Sequence, residues 1–198
     1  GWRGAMLRKT VLGAIILAML AGCEAPSGAR PAPAGPSPAM APNPVAISLN
    51  AYRQRRGLAP IPVSARLTQV AQAHVADLEA HYQRGNASGC NMHSWSAQGD
   101  WTSCCYTPDH ARKECMWDKP REITGGAYGA TGYEIVAYYS DPITPERALQ
   151  IWQQSDGHHI MIVNRGQWAD NTWRAMGAAM GEHYAVVWFG EEPDSGPR

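Results

Sequence analysis

Four cysteines fall between positions 90 and 115: Cys90, Cys104, Cys105 and Cys115. An even number of cysteines in an exported domain implies disulfides. The adjacent pair Cys104-Cys105 is a poor candidate for bonding to itself, because a vicinal disulfide strains the peptide between its residues. Two connectivities survive: 90–104 with 105–115, or 90–105 with 104–115. Either one staples a stretch, residues 85–131, that carries few helix or strand signals of its own. The competing zinc reading wants spaced C-x-x-C pairs, which are absent.

Export is expected from the N-terminus. Arg8 and Lys9 precede an apolar run from Val11 to Leu20, followed by Leu20-Ala21-Gly22-Cys23. A charged start, a short apolar stretch and a small-residue cleavage site make a secretory signal over residues 1–22, with 1–5 reading as an upstream extension before Met6. The run is too short to span a hydrocarbon core, which needs about 20 residues. LAGC resembles a bacterial lipobox, in which the Cys23 thiol is acylated and anchors the protein to the membrane. Glu24, not Asp, follows Cys23, which points to the outer membrane.

Residues 24–44 hold seven prolines and almost no apolar bulk. They cannot bury a core and read, with Cys23, as an extended tether over 23–44. One domain of ordinary size is left at 45–192, with a short tail at 193–198. The whole chain carries 17 basic and 17 acidic residues. Removing the signal takes away Arg3, Arg8 and Lys9 and no acid, so the mature chain is acidic by three charges. Nucleic-acid binding, which wants a clustered basic footprint, is not supported. The one basic cluster, Arg53-Gln54-Arg55-Arg56, reads as a solvated helix end.

Within the domain, Pro44 opens a helix that stops at Gly57, and Ser64 caps a second. In the second, Leu67, Val70, Ala71, His74, Leu78 and His81 recur at helical spacing, so His74 reads as a hydrogen-bonded core histidine. Trp95, Trp101 and Trp117 read as packing anchors for the cysteine region. Thr144-Pro145-Glu146 starts a further helix, expected to run to about Ser155 and stop at Gly157, with His158 just beyond. Residues 173–189 hold two apolar runs around Gly181-Glu182-His183 and read as a β-hairpin, with His183 exposed at the turn.

Several motifs then line up. W-x-x-S-x-G-H-x-x-x-I-x-N at 152–164, G-Y-E-I at 132–135, N-M-H-S-W at 91–95 and L-x-x-x-A-x-x-H-x-x-D at 67–77 together resemble the CAP superfamily of cysteine-rich secretory, antigen 5 and pathogenesis-related proteins, and its bacterial members best. The resemblance covers about residues 45–190. It implies an α+β fold, a three-layer α-β-α sandwich with a central antiparallel sheet and a cleft above it. It also implies that His93, His158 and Glu134 line that cleft. The family's second acid falls in W-x-x-E, and this chain has Ser155 there, so one negative charge for a cation is missing.

Two imidazoles and a carboxylate suit a weakly bound divalent cation such as zinc. Without metal the same groups can do acid–base work. No G-x-S-x-G elbow is present, and every cysteine is claimed by disulfide or lipid. The expected function is therefore a non-enzymatic, envelope-anchored module that binds a lipid, a glycan or a protein. The alternative is a metal-assisted peptidase using His93, His158 and Glu134.

Overall fold

The computed structural model describes residues 42–194. The signal at 1–22, Cys23, the tether up to residue 41 and the tail from residue 195 lie outside the described residues. In chain order the elements are α1 (Pro44–Arg55), α2 (Ala65–His81), α3 (Glu114–Trp117), α4 (Lys119–Ile123), β1 (Gly132–Tyr138), α5 (Pro145–Gln153), α6 (Asp156–Ile162), a 3₁₀ turn (Gly166–Trp168), β2 (Ala175–Met180) and β3 (Tyr184–Gly190).

The longer helices start where local chemistry dictates. The Asn43 side chain accepts from Val45 N–H at 2.9 Å, and Pro44 occupies the first turn, where its missing N–H costs nothing. The Ser64 hydroxyl accepts from Leu67 N–H at 3.0 Å, and Thr144 accepts from Arg147 N–H at 3.1 Å. Helix α1 ends before Gly57, whose φ of +75° is open to glycine at little cost.

The three strands form one antiparallel sheet in the order β1-β3-β2. Every residue of β3 is buried, as expected for a central strand covered on both faces. Alternation along it divides the core. Ala185, Val187 and Phe189 pack with Leu49 of α1, Trp152 of α5 and Ile162 of α6. Tyr184, Val186 and Trp188 pack with Leu67, Val70 and Leu78 of α2. The result is the α-β-α sandwich expected. Helix α2 lies so close to β2 that a Cβ at Gly177 would sit 2.0 Å from the Leu67 backbone, so no larger residue fits there without moving the helix. On the free side of β2, Met176 N–H donates to Pro62 O at 2.9 Å and Ser64 N–H to Met176 O at 2.8 Å, which covers the sheet edge.

The cysteine region is loop-rich, with the short helices α3 and α4 within it. Three expectations need correction. Gly157 does not stop a helix. The break comes at Ser155, which is extended (φ −108°, ψ 109°), and α6 begins at Asp156, so His158 lies in its first turn. The stop is Asn164, at φ +50°, the left-handed position that asparagine tolerates. Arg53 is not solvated. It is 6% exposed and donates to Ile162 O at 2.6 Å, Asn164 Oδ1 at 2.7 Å and Ala59 O at 3.0 Å. A guanidinium at the carbonyl end of α6 is well placed for that helix's dipole. His183 is half-buried, its Nδ1 lying 3.1 Å from Tyr139 O.

Candidate functional site

Glu134 lies on β1, in register with Trp188 of β3, and is 2% exposed. Each of its oxygens meets a histidine. His93, from the loop after α2, places Nδ1 2.8 Å from Oε1, and His74, from the buried stripe of α2, places Nδ1 against Oε2. His74 Nε2 donates to Ser94 O at 3.0 Å, and its ring stacks on Trp95 at 4.1 Å and 7°. Ser94 O can only accept, so Nε2 carries a hydrogen, and Nδ1 faces the buried carboxylate. Burial alone would raise the Glu134 pKa, but His74 and then His93 outweigh it and hold the carboxyl below its ordinary value of 4.5.

His93 keeps 17% of its side chain exposed and is the clamp's face toward a cleft of about 650 Å³. His158 lines the same cleft, with Ser155 beside it. The structure therefore brings His93, Glu134 and His158 to one cavity, Glu134 as its floor. Half-buried Trp117, Tyr133 and Trp168 supply walls, and Tyr106 packs edge-on against His93 at 5.3 Å. A second hollow of about 600 Å³ is lined by Asp77 and the Cys90–Cys105 disulfide. Its buried acid, Asp77, is already taken up by Ser96 N–H at 2.8 Å and by the Ser96 hydroxyl.

His158 is not tied to the carboxylate. Among the described residues its buried Nδ1 has no hydrogen-bond partner. Burial, with a smaller contribution from nearby His93, lowers its pKa from 6.5 to about 4. Between those values the unfolded chain takes up a proton that the folded protein refuses, so stability is lost as pH falls through the window. His158→Gln should flatten that part of the curve. Its thermal midpoint should fall less than wild type's between pH 7 and pH 4, and identical falls would refute the assignment.

The donor set does not fit a cation as folded. Both oxygens of Glu134 are engaged by histidines, and among the described residues no group of three or more His, Cys, Asp or Glu side chains is set to hold a metal ion. Sequence reasoning placed His74 in the core and left it out of the site, although it is the innermost member. Its position on an apolar stripe signalled that it needed a buried partner. The partner lies 60 positions away on a strand, beyond any local pattern. The aromatic walls had no sequence signal except Trp117, read as packing.

The disulfides resolve to Cys90–Cys105 and Cys104–Cys115. The first closes a short ladder in which Asn91 N–H donates to Tyr106 O at 2.8 Å and Trp95 exchanges hydrogen bonds with Cys104 at 2.8 and 3.0 Å. His93 and Tyr106 are held by that ladder. The second ties it to α3, whose Met116 Sδ accepts from Glu134 N–H at 3.3 Å.

Among solved structures, a cysteine-rich secretory protein from Staphylococcus aureus is similar at 16% identity with a TM-score of 0.47, over 75% of this chain and 37% of its own. The chain thus spans little more than a third of that protein's length. An outer surface protein from Borrelia burgdorferi is similar at 16% identity and a TM-score of 0.47, over 74% of this chain and 89% of its own. No curated protein matches. The model of the CAP family, described as the cysteine-rich secretory protein family, matches residues 48–188. That span takes in α2, the disulfide-bonded loop, the clamp and the whole sheet but its last residues, and the chain belongs to this family.

Proposed function

We propose that this chain is an extracytoplasmic binding module, held on the bacterial cell envelope through Cys23, whose cleft binds a ligand and carries out no chemistry. The observation that carries the reading is the use of Glu134. Both its oxygens are bound to histidines, so it orders the cleft and is not free to activate water or hold a metal. A cation would have to displace one of those histidines before gaining a carboxylate ligand. A divalent cation such as zinc would have only His93 and His158 to hold it, and weakly. Two disulfides in the domain and membership of a secretory family support a location outside the cytoplasm.

The test is incubation of the full chain with peptide pools, with and without chelator. No cleavage is expected in either. Chelator-sensitive cleavage that disappears in His158→Ala would establish the peptidase reading instead. For the anchor, Cys23→Ser should move the protein from the membrane to the soluble fraction and remove the mass of the acyl chains. An unchanged distribution overturns the anchor.

A further inference from the structure

We propose that the cleft takes an acidic saccharide. The inference rests on the binding reading above and names its ligand class. Three half-buried rings form the walls: Tyr133 stands edge-on to Trp168 at 5.0 Å and to Trp117 at 6.5 Å. The electron-rich faces of such rings attract the C–H faces of a sugar. Wall chemistry also excludes rivals. The aliphatic lining is confined to Met116 and Met161, whereas Ser155, Gln167 and His158 also face the cavity. A hydrocarbon tail would strip water from those groups and give them nothing back.

Two buried ring nitrogens point to hydroxyls. His158 Nδ1 and Trp168 Nε1 both belong to cleft-lining residues, and neither has a partner. Leaving a buried polar atom unsatisfied is costly, so a ligand hydroxyl that satisfies it gains affinity. An indole N–H needs an acceptor, and an imidazole nitrogen needs a donor or an acceptor according to its tautomer. A hydroxyl group serves as either.

Charge decides between neutral and acidic sugars. Among the described residues Lys113 is the one Lys or Arg lining the cleft, and Glu134 the one acid, already bound to His74 and His93. The Lys113 ammonium stands 5.0 Å over the Trp117 ring, and the residue is exposed. A cationic ligand seeking the aromatic faces would meet that ammonium. A carboxylate on a sugar bound in the cleft would pair with it.

An array of acidic and neutral oligosaccharides, probed with the full chain and followed by calorimetry on the best acidic and neutral members, tests this. Acidic sugars should bind in preference. Lys113→Gln should weaken the acidic ligand about tenfold, the scale of one charge-assisted hydrogen bond, and leave a neutral one unchanged. Trp168→Phe, which keeps the ring face and loses the N–H, should weaken both. It also guards against a Trp168→Ala variant that fails to fold. Equal binding of neutral and acidic sugars, displacement by dodecanoate, or no acidic sugar bound overturns the proposal while the binding reading stands. Chelator-sensitive peptide cleavage overturns the binding reading itself.

Discussion

Glu134→Gln should destabilise the domain by about 3–5 kcal/mol, the usual loss when one member of a buried ion pair is removed. The substitution keeps the shape of the side chain, so packing is preserved and the loss reports the charge together with the acceptor oxygen that the amide nitrogen replaces. His74 is then left buried without its carboxylate partner. The acid response should change as well. The folded carboxyl is held below 4.5, so on acidification the unfolded chain binds the proton first. The stability this group provides is complete above 4.5 and declines below it, as pH falls through the folded value. In the Gln variant that decline is absent. Urea denaturation of both proteins at neutral pH and at several acid values measures both effects. A loss under about 1 kcal/mol, with the acid slope unchanged, would mean that the pair is not ionised.

The same clamp shows where sequence reading succeeds and where it stops. The caps Ser64 and Thr144 act on the N–H groups that their positions indicate, because a cap is a contact between residues three apart. The two strands at 175–190 were legible because β3 is apolar at nearly every position and a short polar turn precedes it. Helices α3 and α4 were not, since four and five residues are too few to show a period. Their order comes from the Cys104–Cys115 bridge and from packing. Gly157 misled because glycine after a helix usually ends it in the left-handed region, as Gly57 does. Here Asn164 takes that role. His93, Glu134 and His158 were found from motifs, and no periodicity joins them. The His74–Glu134 pair shares that limit, since a hydrogen bond between a helix and a strand 60 positions apart leaves no local trace.

Opening the two disulfides should loosen the cleft before the sheet. The bridges join residues 15 and 11 positions apart, and each constrains the unfolded chain by roughly 3 kcal/mol in the chain-entropy model. The loss in the folded state is local. Without Cys90–Cys105, the ladder between 91–95 and 104–106 keeps its few backbone bonds and the contacts of the Ser94 hydroxyl with Tyr106 N–H at 2.9 Å and Tyr106 O at 3.4 Å. That ladder sets His93 against Glu134 and Tyr106 against His93. Without Cys104–Cys115, α3 is freed from the ladder, and with it Met116 and the Trp117 wall. Strand β3 and the buried face of α2 contain none of these cysteines, so their hydrogen bonds should open last. Hydrogen exchange with and without dithiothreitol should show residues 90–117 accelerating first, while 184–190 remains protected. The Cys90→Ser/Cys105→Ser pair should reproduce the faster exchange at 91–106, and the Cys104→Ser/Cys115→Ser pair should extend it to α3. Acceleration spread evenly over the sheet would sink this view, because the bridges would then be holding the whole fold and not one wall of its cleft.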